Sequence, residues 1–319
     1  MKNMEQQDLL LTTQSSNSVR EYTDPIPSDI LIDIFSRVPA KSIARFRCVS
    51  KLWRSIPSLP GFIELFHTKS LARTRLLFAV KVDKELFLFS SPQPHNPVLE
   101  SSTLVDTRYN KCFPNYIPSD IRLSLGGLVS LREWESEVWV IYNPLTGERE
   151  SIALPEVEST GEICINGVLY HGAYVEGSCM IVCFDFSSEK FMSIKLHGEI
   201  IHGILINYKG NLGVLVRDDH QIVLWVLEDA GNHIWCKTIS VPLSLYDDIR
   251  NYLHFVGMTG AGEIVLSPHR ATNPFYIVYY NIERNTFTRV YIQGYEELNK
   301  DPISTPRIFL DYVENMKLL

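Results

Sequence analysis

The chain has 319 residues, 45% of them apolar and 21% charged, with a formal net charge of −7, the balance of a globular protein large enough for more than one core. No run approaches the ~20 apolar residues that a membrane-spanning helix needs, and Leu9-Leu10-Leu11, closed in by Asp8 and Thr12, is too short for a signal-peptide core of about 7–15 residues; an intracellular protein in cytoplasm and/or nucleus, with no membrane partner, is expected. Charge is unevenly spread, with −2 on residues 1–24, +6 on residues 25–75 and −11 on residues 76–319, so the large acidic part repels phosphate backbones and no nucleic-acid partner is expected.

Residues 1–24 are rich in Gln, Ser, Thr and Asn. They hold too little apolar surface to offset ordering entropy, which predicts a disordered tail. Pro27 then suits the first position of a helix, where its missing N–H is harmless, and Asp29 puts negative charge in the first turn. Ile30, Leu31, Ile34, Phe35 and Val38 recur at helical spacing, until Pro39 disfavours the α conformation at Val38. A second helix from about Ala40 sets Ile43 and Phe46 on one side, with Lys41, Arg45 and Arg47 exposed. A third carries Val49, Leu52 and Trp53 and ends at Pro57 and Pro60. Three short helices make a marginal core, and this stretch has more apolar residues than its own interior can absorb. The excess is expected outside, as a helix-in-groove surface for a protein partner.

The segment IPSDILIDIFSRVPAKSIARFRCVSKLWRSI resembles an F-box, and in particular the F-boxes of a large plant family with a C-terminal F-box-associated interaction domain. The resemblance rests on Ile26-Pro27, Asp29, Ile30, Leu31, Ile34, Val38-Pro39, Lys41, Ser42, Ile43, Arg45, Phe46, Cys48, Val49, Ser50, Lys51, Trp53 and Arg54, with Phe35 and Val38 where leucine is usual. It implies an F-box over residues 25–70 that binds a Skp-type adaptor and, through it, a cullin. The adaptor-binding residues so implied are Pro27, Ile30, Leu31, Ile34, Phe35, Val38, Pro39 and Ile43 on the first two helices, with Val49, Ser50, Lys51 and Trp53 beyond them. Leu31 and Ile34 are expected to fill the adaptor's groove.

From residue 76 the texture changes to short apolar runs broken by turn residues, the all-β pattern. A phrase of strand, polar turn and strand occurs four times, and its register marks Asn143, Asp185, Glu228 and Asn281 lie 42, 43 and 53 residues apart, the period of propeller blades. Each period holds four strands. In the third copy GILIN, LGVLV, QIVLWVL and HIWCKTI are separated by polar turns; in the second, Asn166-Gly167 supplies the positive φ angles of a tight hairpin. The segment from Leu76 to Leu131 is less regular, and RIFLDYV near the end is placed to pair back onto this first unit and close a ring.

ICINGVLY, VCFDFSSEKF, LINYKGNLGVL, TGAGEIVLSP and FLDYVENMKLL resemble the F-box-associated domain of the same family, so the resemblance covers about residues 25–319. It departs where Pro155 reaches Ile163 in eight residues; the family usually carries further strands there, so a domain one blade short is expected. The fold class is therefore α+β multidomain: a small N-terminal three-helix F-box followed by an all-β, propeller-like domain of four-stranded repeats over residues 76–319. The function implied is a non-catalytic substrate-recognition subunit of an SCF-type ubiquitin ligase, holding an adaptor by its F-box and an unidentified target protein by its β domain. Two alternatives stay open: an adaptor-binding protein whose degenerate β domain recruits nothing, and a hydrolase on a propeller scaffold, since fold alone does not set chemistry.

The remaining motifs point to no catalysis, cofactor or metal. Cys48, Cys112, Cys164, Cys179, Cys183 and Cys236 form no CxxC pair, which structural zinc would want. Nine scattered histidines fall in no close ligand pattern, and GMTGAG at 257–262 lacks the following lysine and helix of a phosphate loop, so it reads as a hairpin turn. Asp218-Asp219 and Asp247-Asp248 are acidic loop tips that would suit a basic ligand, although solvated loops look the same.

Overall fold

Prolines and one capping serine divide the N-terminal part into short helices. α1 (Ser28–Arg37) starts behind Pro27, with Asp29 in its first turn and Arg37 in its last. Pro39 separates it from α2 (Ala40–Phe46), and α3 (Lys51–Ser55) is capped by Ser50, whose hydroxyl accepts from the Trp53 N–H at 3.1 Å. A 3-10 turn at Ile56–Ser58 leads through Gly61, at φ 75°, into α4 (Phe62–Leu71). Four helices stand where three were expected: Pro57 and Pro60 end α3, but Phe62, Phe66 and Ser70 then recur at intervals of four and bury a further helix against α1. The computed structural model describes residues 26–82, 85–98, 101–105, 107–113, 120–123, 127–132, 138–153, 159–175, 177–185, 187–196, 198–217, 221–242, 252–270, 272–295 and 306–316. The tail expected at 1–24 lies outside them.

The β region forms five propeller blades. The chain lays down β1 (Arg75–Val82), β2 (Glu85–Pro92), β3 (Ser101–Leu104) and β4 (Thr107–Phe113), then β5 (Asp120–Leu123), β6 (Val129–Arg132), β7 (Val138–Tyr142) and β8 (Arg149–Ala153). A third blade holds β9 (Ser159–Ile165), β10 (Val168–Val175), β11 (Ser178–Asp185) and β12 (Lys190–Lys195). The fourth holds β13 (Ile204–Tyr208), β14 (Asn211–Arg217), β15 (Gln221–Asp229) and β16 (Ile234–Pro242). The fifth holds β17 (Leu253–Met258), β18 (Glu263–Pro268), β19 (Tyr276–Asn281) and β20 (Thr286–Gln293), and β21 (Arg307–Tyr312) ends the series. Blades two, three and four are simple meanders. The first blade has the order β21-β1-β2-β4, so the C-terminal strand supplies its inner edge, antiparallel to β1. This is the ring closure that the RIFLDYV run suggested. β3 leaves the first blade and pairs parallel to β20, from Val290 with Ser101 to Gln293 with Leu104. First and last blades are thus joined at an inner and an outer edge.

The cores sit between blades, which is why central strands read as unbroken apolar runs instead of alternating ones. Along β1, Leu76, Phe78 and Val80 pack with Val265, Ile277 and Tyr279 of the fifth blade, while Leu77 and Ala79 pack with Val129, Leu131 and Tyr142 of the second. Two further apolar clusters join blades four and five and blades three and four.

Burial also takes in an acid of the fifth blade. Glu263, at the start of β18, is 2% exposed, and its Oε2 has no hydrogen-bond partner. Burial raises the carboxyl above its ordinary value, against the lowering effect of the Asn96 backbone bond. A carboxyl whose folded pKa is raised costs native stability while it is ionised, and that cost is relieved as pH falls through the raised pKa. Glu263→Gln is therefore expected to unfold at a higher temperature than the parent at neutral pH, with the gain fading by about pH 4; thermal melts across that range check it.

Candidate functional site

Burial divides the apolar side chains of the helical module into those that hold it together and those it can offer a partner. Leu31, Phe35, Ala40, Ile43, Ile56, Phe62 and Phe66 form its own core, with Trp53 and Phe46 packed against it. Trp53 meets Phe35 edge-on at 5.3 Å and Phe46 at 5.4 Å, and this aromatic trio ties α1, α2 and α3 together. Leu31, Phe35 and Ile43, expected to face an adaptor, turn inward instead. Leu31 is 2% exposed, and Phe35 and Ile43 are as well hidden, so these three hold the helices together and present nothing outward. A 3.6-residue period identifies an apolar face, but on a short helix with apolar residues on two sides it cannot say which side faces in.

Ile30 and Ile34 take the outward side of α1, one turn apart, at 48% and 41% exposure. Beside them the exposed Asp33–Arg37 ion pair spans 2.8 Å, its carboxylate held below the usual range by the Arg37 hydrogen bond. Val49, Lys51 and Pro27 are exposed as well; Val38, Pro39 and Trp53 are half-buried. Ser50 is exposed but acts as the cap of α3. Ile26 and Leu52, both within the F-box-like segment, join the exposed apolar set. The propeller covers none of these outward apolar residues.

The propeller grips the opposite side of the helices. Beyond β21, Glu314 is buried and its Oε2 accepts from the Ala40 N–H at 3.1 Å, satisfying one of the orphan donors at the start of α2 and placing negative charge where the helix dipole favours it. Met316 packs on the helical core. Asn143, after β7, is fully buried; its Nδ2 donates to the Asn315 carbonyl at 3.0 Å while its Oδ1 accepts from the Leu145 and Thr146 N–H groups. The NPLTG phrase therefore shapes a turn whose Leu145 reaches both the helical core and the core between the first two blades. The loop tips at 218–219 and 247–248 lie outside the described residues.

Among the described residues no three His, Cys, Asp or Glu side chains are grouped to hold a metal ion, and no helix is long and apolar enough to cross a membrane. Residues 25–65 match a model described as the F-box domain, and residues 152–313 match one described as the F-box associated beta propeller domain. An F-box protein of Arabidopsis thaliana is 43% identical, with 97% of each chain covered. Two more from the same plant, F-box protein DOR and another F-box protein, are 38% and 37% identical, covering 94% and 96% of this chain and 95% and 93% of theirs. The first alignment runs to 375 positions, more than the 319 residues of this chain, so that relative carries segments absent here. Among solved structures a streptogramin B lyase superposes with a TM-score of 0.39 at 11% identity, over 73% of this chain and 93% of its own, too slight a likeness to inform function.

The division between inward and outward residues is measurable. Leu31→Ala is expected to destabilise the helical module by about 3 kcal/mol through its cavity, and Ile34→Ala by less than about 0.5 kcal/mol. Hydrogen exchange of the α1 and α4 amides in the full chain reports both.

Proposed function

Because this chain belongs to the F-box proteins that carry an F-box-associated β-propeller domain, we propose that it is the substrate-recognition subunit of an SCF-type ubiquitin ligase. F-box domains bind Skp-type adaptors, and the single observation that carries the reading here is the set of outward apolar residues, Ile30, Ile34, Val49 and Leu52, left uncovered by the propeller. Apolar side chains on a short helix and the turn beside it suit a groove on another protein. The adaptor links the F-box to a cullin, and the propeller holds a target protein at the far end. The chain does no chemistry of its own; it raises the effective concentration of the target beside the ubiquitin carrier, making a bimolecular encounter nearly intramolecular. It works inside the cell, in cytoplasm or nucleus. Five paired blades, with apolar clusters among the described residues at four of their five junctions, favour active recruitment over a β domain that fails to fold.

The domain boundaries we propose follow the same logic: an F-box over 25–70 and a β domain over 76–319 that is one blade shorter than its relatives. Ile30→Asp combined with Ile34→Asp should abolish co-purification with a Skp-type adaptor, at least about tenfold weaker binding, while the melting temperature stays unchanged because both positions are exposed. Undiminished pull-down by that double variant would sink the adaptor assignment.

A further inference from the structure

Blade edges in this propeller already accept an added strand. β3 belongs to no meander; it lies parallel to β20 and makes the fifth blade five-stranded. β12, the outer strand of the third blade, offers an edge of the same kind, and among the described residues no strand pairs with its outer side.

The side chains of β12 are unlike those of a solvated edge. The strand reads Lys190-Phe191-Met192-Ser193-Ile194-Lys195, and only Ile194 is buried, against Ile181 and Cys183 in the core shared with blade four. Phe191 is 73% exposed and Met192 46%. Phe191 lies opposite Phe184, the rings 4.6 Å apart, and Leu169 lies opposite Phe184 on the other side. Val182 and Met180 continue the same face, all of them partly open. An apolar face that runs out to an open edge is what an incoming strand covers, its backbone pairing with the edge and its side chains reading the alternate positions.

We infer that β12 is a docking edge for an extended peptide that adds as a fifth strand, with alternate apolar side chains on the Phe191 face, the intervening ones on the Met192 face, and acidic residues beside Lys190 and Lys195. The inference rests on the reading of the propeller as the target-holding domain and places that hold on one blade. Charge selects the occupant. A second copy pairing antiparallel over the whole strand would set Lys190 opposite Lys195 at both ends, and like charges directly opposite are destabilising. Edge lysines block such self-pairing, and the same two charges favour an acidic partner at both ends. Asp185, kept ionised by the Ser187 and Ser188 hydroxyls, lies opposite Lys190 and offsets part of its charge, whereas Lys195 lies opposite the neutral Met180, so the selection for an acidic partner is strongest at the Lys195 end.

The test is fluorescence anisotropy on the full chain with three short labelled probes: alternating valine and threonine flanked by aspartates, the same core flanked by lysines, and the aspartate probe interrupted by prolines. Saturable binding of the aspartate probe is expected, at least about tenfold tighter than the lysine probe, with the proline probe inactive because it lacks ladder donors. Phe191→Asp should weaken binding at least about tenfold, and Lys190→Glu with Lys195→Glu should reverse the preference between flanks. All these positions are exposed, so melting temperature and adaptor co-purification should not change, which separates this result from the adaptor reading. No saturable binding, equal binding of both flanks, retention by Phe191→Asp, undiminished binding of the proline probe, or a concentration-dependent dimer lost in Phe191→Asp would each overturn the inference.

Discussion

Glu314 accepts a hydrogen bond from α2 only two residues after the closing strand last meets β1, where Tyr312 lies opposite Arg75, and everything else in the molecule is referred to that junction. Its geometry is set by Asp311, which adopts a left-handed conformation at φ 54° and bends the strand out of register. Asp311 exchanges two bonds with Gln93 at 2.7 Å, its N–H donating to Oε1 and its carboxylate accepting from Nε2, and it accepts a third from the Gly260 N–H in the turn of the fifth blade. Burial pushes this carboxyl up, while those donors pull it down. The bend directs Val313 to Met316 beneath the helices, past Gly127, where any side chain would collide with the Val313 carbonyl. Ring closure and the mounting of the F-box are consequences of one short segment.

That coupling suits a receptor. A tether raises effective concentration most when its span matches the distance to be bridged, and a helical module held by Leu145, Met316 and Glu314 has little freedom to swing. Arg73 adds to the mount: its Nη2 reaches the Ser36 carbonyl and the Ser70 hydroxyl, and its guanidinium lies 5.5 Å from the centre of the Phe66 ring. Apolar clusters join blades three to four, four to five, five to one and one to two. Among the described residues blades two and three are bridged by Glu162, which faces both Ser130 and His171 at 3.5 Å.

Much of this was legible from residues alone. Asn166-Gly167 takes the positive φ pair that its hairpin needs, and Gly260 to Gly262 form the turn expected of them in place of a phosphate loop. The near-constant spacing of Asn143, Asp185 and Glu228 marks successive blades because each ends a third strand in its own meander. What escaped was non-local. SSTL has no alternation to mark it as a strand, and β3 gains its pairing from β20, nearly the whole propeller away in sequence. Glu314 reads as one more charge in an acidic tail until α2 brings an N–H to it. Leu31 and Ile34 carry the same apolar signature; only the arrival of α4 buries the first and leaves the second in solvent.

The double latch has a bearing on how the molecule is made. β3 is synthesised early and waits for β20; β1 is synthesised earlier still and waits for β21, at the far end of the chain. Neither lock can engage until β20 and β21 have left the ribosome, after all the strands between them and the first blade. A product cut short before residue 307 keeps its helices but lacks both the inner neighbour of β1 and the acceptor for Ala40. The strand that closes the ring and the carboxylate that seats the helices thus arrive together, in one segment made after every blade.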